Sequence, residues 1–203
     1  MSGVAAILLA AGRGTRFGEE PKLLARVGGK ALVRHVAEAA VQSTASPVLV
    51  VTGHRAEDVQ AELTALPVEI VHNPLFADGL STSLKAGFSA LPPEARAAII
   101  LLGDMPFVRP GLIDALVANW HDRGEPAALV PVFKGQRGNP VVLSRALQTA
   151  ITGLSGDVGA GSILRGRSDV LEWPTEDLAI IQDIDTRQEW TFCAGAASPI
   201  KKP

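Results

Sequence analysis

Residues 7–24 read ILLAAGRGTRFGEEPKLL, an apolar run that opens into three glycines, two arginines and a lysine. The run itself, Val4–Ala10, is continuously apolar, which is typical of a strand covered on both faces of a sheet. In an open parallel sheet, ligands bind beyond the carboxyl ends of the strands. This segment therefore predicts an α/β fold and marks a candidate binding loop.

Apolar runs and helical segments alternate along the rest of the chain. This alternation predicts a Rossmann-like, doubly wound and mostly parallel sheet in a single domain. The predicted strands are Val4–Ala10, Pro47–Thr52, Val68–Val71, Ala97–Leu102, Ala127–Val132 and Ile180–Ile184. The predicted helices are Ala31–Gln42, Ala56–Leu63, Ser83–Leu91, Pro110–Arg123, Ser144–Thr152 and Ala160–Gly166.

Composition narrows the class of protein. With 203 residues, 47% hydrophobic residues and a net charge of −2, the chain is globular and has no broad basic surface for nucleic acid. Cys193 is the only cysteine, so no internal disulfide can form. The apolar run at the N-terminus is far shorter than the ~20 residues of a membrane helix. We expect a cytoplasmic protein without a nucleic-acid or membrane partner.

Two familiar phosphate-binding patterns fail in the glycine loop. The dinucleotide pattern G-x-G-x-x-G matches Gly12 and Gly14 but meets Phe17 at its third glycine, and the next helix begins only near Lys30. The P-loop pattern needs a glycine directly before its lysine, whereas Lys22 follows Pro21. Neither pattern accounts for the loop.

A different phosphate cradle fits the residues better. Glycines allow backbone N–H groups to approach phosphate oxygens, and nearby cations neutralise the negative charge. Arg13, Arg16 and Lys22 supply three such cations within one short segment, which a plain turn would not require. The loop predicts a triphosphate site with Lys22 closing its far end.

The loop resembles the signature L-A-[AG]-G-x-[SG]-x-R-[MF]-G-x-x-K of the molybdenum cofactor guanylyl- and cytidylyltransferases, with Pro21 as one extra residue before the lysine. Later segments resemble the same family in the same order, over roughly residues 4 to 190. These segments are VTGHRAEDV (51–59), VHNPLFADGLSTSLKAGF (71–88), IILLGDMPFV (99–108), RGNPVVL (137–143), GDVGAGSIL (156–164) and DIDT (183–186).

The resemblance implies the fold of the nucleotide-diphospho-sugar transferases, with a nucleotidyltransferase domain over residues 1–195 and a solvated tail at 196–203. It implies Mg²⁺-dependent transfer of a nucleoside monophosphate from an NTP to a phosphorylated acceptor, with release of pyrophosphate. Ala11 favours CTP, because guanylyl members read L-A-G-G. Molybdopterin is the implied acceptor, although Asn139 stands where cytidylyl members carry His. A transient contact with a molybdoenzyme or its chaperone would follow.

The resemblance also assigns site residues, and Lys22, Arg16 and Asp104 are the catalytic ones. The metal ligands are Asp104 and Asp185, with Asp183 as an alternative to Asp185. The acceptor side comprises Arg137, Gly138, Asn139, Pro140, Gly156 and Asp157. The nucleotide side comprises Leu9, Ala10, Ala11, Gly12, Arg13, Gly14, Lys22, Gly53, Asn73, Gly79, Ser81, Ser83 and Asp104.

Simpler interpretations of these residues stay open. Asp104 suits a turn, Asn73 and Ser81–Ser83 suit turns and helix caps, and DIDTRQE suits the start of a helix. A sugar-phosphate nucleotidyltransferase, an oxidoreductase of related fold and a non-catalytic nucleotide binder are the alternative functions. The nucleotide, the acceptor and the oligomeric state are not fixed by the sequence.

Overall fold

A computed structural model describes residues 3–14, 17 and 21–184 of the chain. Its main sheet has the strand order β10-β7-β9-β6-β1-β4-β5, with β8 paired to β7, and β2 and β3 form a separate two-stranded sheet. The strands are β1 Val4–Ala10, β2 Arg26–Val27, β3 Lys30–Ala31, β4 Val48–Thr52, β5 Glu69–His72, β6 Ala97–Leu102, β7 Ala128–Phe133, β8 Gln136–Arg137, β9 Val141–Ser144 and β10 Val170–Pro174.

Strand β1 lies at the centre of the sheet, parallel to both of its neighbours. Ala6 pairs with Val48 of β4 on one side and with Ile99 of β6 on the other. The strand β9 is antiparallel to both β6 and β7, while β10 is parallel to β7. The mostly parallel sheet predicted from the sequence is therefore confirmed.

Helices cover both faces of the sheet, which explains why the strands are continuously apolar. Alternate residues of β1 enter different cores, with Leu8 in one and Ile7 in the other. The first core contains α1 and α4, and the second contains α3 and α5. The helices are α1 Leu32–Val41, α2 Ala56–Glu62, α3 Leu80–Ser89, α4 Pro110–Asp122, α5 Gln148–Thr152 and α6 Gly161–Leu164.

One predicted strand is wrong, and five short strands, β2, β3, β8, β9 and β10, were missed. The segment predicted as strand Ile180–Ile184 begins as a 3-10 helix over Leu178–Ile181, because the Asp177 carboxylate accepts a hydrogen bond from the Ala179 N–H and starts a tight turn. The strands β9 and β10 fill that side of the sheet instead.

The predicted helix over Ser144–Thr152 begins as a 3-10 turn at Arg145–Leu147 and becomes α5 only at Gln148. No helix of the described residues combines the length and apolarity that crossing a membrane requires.

Candidate active site

Two loops meet at the carboxyl edge of the sheet, because β1 and β6 are parallel neighbours. The loop after β1 carries the glycines, and the loop after β6 carries Gly103 and Asp104. The Gly103 N–H donates to the Leu9 carbonyl oxygen at 3.1 Å. A side chain at Gly103 would also come within 3.1 Å of Leu23. Glycine here therefore allows the two loops to lie directly against each other.

The two described catalytic candidates contact each other across these loops. The Lys22 ammonium donates to Asp104 Oδ2 at 2.6 Å, and Lys22 is only 8% exposed. Pro21 precedes a one-turn 3-10 helix, Lys22–Leu24, which sets the direction of the lysine. At Gly14, where φ is +60°, an added Cβ would lie 2.7 Å from Lys22 Cβ, so the glycine leaves room for the lysine side chain.

The second oxygen of Asp104 has a different environment. Asp104 Oδ1 is buried and accepts no hydrogen bond from the part of the chain that the structure describes. A carboxylate oxygen of this kind suits Mg²⁺, which binds one or two carboxylates and completes its coordination with phosphate oxygens and water. Among the described residues, no three His, Cys, Asp or Glu side chains are grouped as a metal site.

Two further predicted site residues, Arg16 and Asp185, lie outside the described residues. The end of the described chain lies next to Asp104, because the Ile184 N–H donates a hydrogen bond to the Asp104 carbonyl oxygen at 3.0 Å. Residues 182–184, which were predicted to belong to a strand, are not a strand. Asp183 lies in this segment.

A cavity of about 680 Å³ opens above the Lys22–Asp104 pair, and we call it the first cavity. Most of the predicted nucleotide residues line it. Its lining is Leu9, Ala11, Gly12, Arg13, Gly14, Lys22, Leu23, Phe76, Ala77, Asp78, Gly79, Leu80, Ser83, Leu102, Gly103, Asp104 and Asp157.

Phe76 is the lining residue that the sequence reasoning missed most clearly. The Arg13 guanidinium carbon lies 5.6 Å from the centre of its ring, a cation–π distance. A Cβ at Gly53 would lie 2.5 Å from Phe76 Cβ, so the glycine leaves room for the aromatic side chain. The lone aromatic residue inside the NPLFADG segment was the signal that could have identified it.

Four predicted nucleotide residues lie outside the lining of the first cavity: Ala10, Gly53, Asn73 and Ser81. Ala10 is buried in the first core. Asn73 is also buried, and its amide nitrogen donates to Thr82 Oγ1 at 2.8 Å and to Ser83 Oγ at 3.1 Å. Its amide oxygen accepts from the Leu75 N–H, so Asn73 ties the segment after β5 to the start of α3.

The loop around Asp157 packs against the start of α3. Asp157 Oδ1 accepts from the Leu80 N–H at 3.2 Å, and the Gly156 carbonyl accepts from the Ser81 N–H at 3.3 Å. Gly79 has φ +109°, and a Cβ there would lie 2.3 Å from the Gly156 carbonyl carbon. Asp157, predicted on the acceptor side, therefore borders the first cavity.

A second cavity of about 270 Å³ adjoins the first, and the two share Leu9, Leu80 and Leu102. Of the residues predicted to bind the acceptor, Arg137, Gly138 and Asn139 line this second cavity, whereas Pro140 and Gly156 line neither. The full lining is Leu9, Leu80, Leu84, Ile100, Leu102, Val130, Arg137, Gly138, Asn139, Val141, Gly159, Ala160, Gly161 and Leu164.

The mouth of the second cavity is fixed by backbone contacts. The Asn139 N–H donates to the Ile180 carbonyl at 2.8 Å, and a Cβ at Gly138 would lie 2.2 Å from the same oxygen. Arg137 donates through Nε to Glu172 Oε1 at 2.7 Å, and both side chains are about half exposed. The 3-10 helix at Leu178–Ile181 thus supports the segment that carries Arg137 and Asn139.

The sheet and the paired lysine and aspartate define an α/β protein with a charged cleft at the carboxyl edge of its strands. Comparison with protein families gives the particular class: residues 6–171 match the MobA-like NTP transferase domain. The chain belongs to this family, as the resemblance of the glycine loop predicted.

Two curated relatives and one solved structure are similar to this chain. The bifunctional protein GlmU of Syntrophotalea carbinolica is 34% identical over 71% of this chain, which spans only 31% of that relative. The nicotine blue oxidoreductase of Paenarthrobacter nicotinovorans is 30% identical over 92% of this chain and 94% of its own length. The Rv0371c homologue from Mycobacterium sp. strain JC1 superposes with a TM-score of 0.81 at 26% identity, covering 95% of this chain and 96% of its own.

Proposed function

We propose that the protein transfers CMP from CTP to the phosphate of molybdopterin and releases pyrophosphate, with Mg²⁺ as cofactor. The Lys22–Asp104 pair beside a glycine loop is the observation that carries the proposal. A triphosphate brings three to four negative charges, and the first cavity offers Arg13, Lys22 and backbone N–H groups to meet them.

The transfer requires no protein nucleophile, because the acceptor phosphate is already an anion. One of its oxygens attacks the α-phosphorus of CTP and forms a new P–O bond. The bond from the α-phosphorus to the bridging oxygen of the β-phosphate breaks, and pyrophosphate leaves with the electron pair. Positioning and charge neutralisation supply the catalysis of such a step.

Lys22 and Asp104 have separate tasks in this proposal. Lys22 stabilises negative charge on the departing pyrophosphate, and its 2.6 Å contact with Asp104 holds the ammonium at the floor of the first cavity. Asp104 Oδ1 is the protein oxygen that would hold Mg²⁺, and the bound metal would neutralise phosphate charge. Asp185 remains the proposed second ligand.

Ala11 supports CTP over GTP. Its methyl group is buried, lines the first cavity and would lie 2.9 Å from a Cβ at Gly53. A methyl group at this position takes up space that a larger purine base would need. Asn139 at the second cavity stands where cytidylyl members carry His. Other phosphorylated acceptors are therefore tested beside molybdopterin.

The test offers the purified protein CTP, GTP, ATP or UTP with Mg²⁺, each with molybdenum-loaded molybdopterin or with α-D-glucose 1-phosphate. Pyrophosphate release is measured. Release with CTP and molybdopterin supports the proposal, and release with glucose 1-phosphate alone would replace the acceptor by a sugar phosphate. Tight binding of an NTP without pyrophosphate from any pairing would overturn transfer and indicate a nucleotide sensor.

An oxidoreductase is the second candidate, since the nicotine blue oxidoreductase matches 92% of this chain. Against it, the glycine loop lacks the third glycine of a dinucleotide fingerprint and α1 begins only at Leu32. Oxidation of NADH or NADPH by the purified protein in the presence of an organic acceptor would favour this candidate, and its absence alongside pyrophosphate release would exclude it.

A further inference from the structure

The partner of Arg13 is an aromatic ring rather than a carboxylate. Within the part of the chain that the structure describes, Arg13 forms no ion pair and no hydrogen bond through its side chain, although Asp78 and Asp157 line the same cavity. Its guanidinium lies over the Phe76 ring, 5.6 Å from the ring centre. Six arginines outside the first cavity pair with carboxylates instead: Arg26, Arg34, Arg55, Arg96, Arg137 and Arg167.

An aromatic partner holds a cation without neutralising it. A carboxylate would cancel the charge of the guanidinium and accept hydrogen bonds from its N–H groups, whereas a ring attracts the cation through its quadrupole. Arg13 is exposed and lines the first cavity. Its charge and its donors are therefore available to an anion that enters the cavity.

The order of the strands explains how Phe76 comes to lie beside Arg13. The strands β1, β4 and β5 are parallel neighbours, so the segments that follow them meet at one edge of the sheet in that order. Phe76 follows β5 and contacts Arg13, which follows β1, across the segment after β4. Gly53 lies in this middle segment, where an added Cβ would lie 2.5 Å from Phe76 Cβ. The contact thus depends on the absence of a side chain at Gly53.

The Phe76 side chain is also supported by its own segment and by the turn after β4. Phe76 begins a 3-10 turn, Phe76–Asp78, in which the Asp78 N–H donates to the Leu75 carbonyl oxygen at 2.9 Å. The centre of its ring lies 6.1 Å from that of His54. These contacts fix the ring at the edge of the first cavity.

The backbone around Arg13 has more freedom, because Arg13 lies between Gly12 and Gly14. Glycines allow many backbone conformations, and a long arginine side chain has many rotamers. A fixed ring selects among these conformations before a ligand arrives, which lowers the entropy that binding must cost.

We infer that Phe76 is a positioning residue, which holds the Arg13 guanidinium over the first cavity for the phosphates of the nucleotide. The inference rests on the proposed function for the class of ligand, a nucleoside triphosphate. It assigns Phe76 a task that is carried out through Arg13 and not through contact with the base.

The test measures the affinity of the unaltered protein and of Phe76→Leu for the α,β-methylene analogue of CTP and for CMP, each with Mg²⁺, by calorimetry. Phe76→Leu should weaken the triphosphate about two- to fivefold, which corresponds to an exposed cation–π contact. The loss for CMP should be smaller, because CMP carries one phosphate instead of three. Equal losses for the two nucleotides would overturn the inference.

Arg13→Ala provides the second arm of the test. It should weaken the triphosphate about tenfold or more, because charge-assisted hydrogen bonds are lost. Adding Phe76→Leu to Arg13→Ala should weaken binding no further, since the ring acts through the arginine. If Phe76→Leu causes the same loss with and without Arg13, the ring contacts the nucleotide directly and the inference is wrong.

Two further variants separate the ring from the segment that carries it. Phe76→Tyr keeps the ring and should keep the affinity of the unaltered protein. Leu75→Ala is the matched control, because Leu75 is 58% exposed, precedes Phe76 and lines neither cavity. A loss with Leu75→Ala as large as that with Phe76→Leu would contradict the role of the ring. Circular dichroism establishes folding, and Phe76→Met, which also lacks the ring, replaces Phe76→Leu if that variant is not folded.

Failure of this inference and failure of the proposed function are distinguishable. Pyrophosphate release together with independent losses at Phe76 and Arg13 leaves the transfer standing and overturns the positioning role. Coupled losses in triphosphate binding without pyrophosphate release support the positioning role and overturn the transfer.

Discussion

The two adjoining cavities of this protein are built from opposite kinds of residue. The first contains five ionisable side chains, Arg13, Lys22, Asp78, Asp104 and Asp157, together with the backbone of the glycine loop. The second contains one, Arg137, at its mouth. Such a division suits a reaction that handles charged phosphates on one side and a carbon skeleton on the other.

The division follows from the positions of the lining residues along the strands. The glycines and ionisable residues that line the first cavity come from segments beyond the strand ends, where glycine and polar residues are common. The leucine, isoleucine and valine residues that line the second cavity come from the strands and from α3 and α6, which must be apolar to form a core. Substitutions on either side should therefore have separable effects.

The largest effect is expected at the lysine–aspartate pair. Lys22→Ala or Asp104→Ala should each lower kcat by about 10²–10³, because each removes a preorganised charge from the reacting phosphates. Since the two groups contact each other at 2.6 Å, the double variant should lose much less than the product of the two single losses. Steady-state release of pyrophosphate measures all three variants.

Lys134→Ala is the matched control for this pair, because Lys134 is exposed and lines neither cavity. Circular dichroism establishes that each variant is folded. A folded Lys22→Ala variant that keeps more than about a tenth of the activity would contradict the catalytic role of the lysine.

The next effect is expected where the two cavities join. Gly79→Ala should lower the free energy of unfolding by at least about 2 kcal/mol, since φ is +109° and the new Cβ would overlap the Gly156 backbone. Because the displaced loop carries Asp157 and Gly159, affinity for both nucleotide and acceptor should fall. Urea unfolding and calorimetry measure the two consequences.

Gly111→Ala provides the control for Gly79→Ala. Gly111 lies in α4, its φ is not positive and an added Cβ meets nothing within 4 Å. The control should therefore leave stability unchanged or raise it by up to about 1 kcal/mol. A Gly79→Ala protein as stable as the control would show that the loop contact at Gly156 is not needed.

The sequence predicted the first cavity better than the second, for a physical reason. Local patterns mark it: the glycines and Lys22 lie in one segment, and Asp104 follows the long apolar strand β6. Once β1 and β6 are taken as parallel neighbours, Lys22 and Asp104 can be placed at the same edge of the sheet. Their direct contact at 2.6 Å required the structure.

The second cavity depends on strands that carry little local signal. The strand β9 has only four residues, Val141–Ser144, and follows the RGNP segment without a separate turn. Its antiparallel pairing with β6 is what places Val141 opposite Ile100. Ile180–Ile184 resembled a strand because it is apolar, but Asp177 turns the chain into a 3-10 helix that supports Asn139.

A smaller and more selective effect is expected at the mouth of the second cavity. Arg137→Gln should raise the KM for the acceptor by up to about fivefold and leave CTP affinity unchanged, because a half-exposed charge contributes about 1 kcal/mol or less. Glu172→Gln keeps the arginine and removes its partner, so it should not raise that KM. A change in CTP affinity with Arg137→Gln would contradict the separation of the two cavities.

The smallest effect is expected at Glu38, which belongs to neither cavity. Its carboxylate accepts hydrogen bonds from Lys30 at 2.6 Å and from Arg34 at 2.9 Å, and the Lys30 contact is the main cause that lowers the pKa of Glu38 from its usual value of 4.5. A lowered pKa in the folded state stabilises the protein above the unfolded value, and this contribution is lost as the pH falls through the folded value.

Glu38→Gln should therefore reduce the free energy of unfolding at neutral pH by no more than about 0.5 kcal/mol, because the ion pairs are largely solvated. The difference from the unaltered protein should shrink as urea unfolding is repeated at pH values below 4.5. Glu94→Gln, at an exposed position before β6, is the control for replacing a surface carboxylate by an amide. Because α1 packs on the sheet face opposite α3 and α6, a change in transfer rate with Glu38→Gln would mean that the two faces of the sheet are coupled.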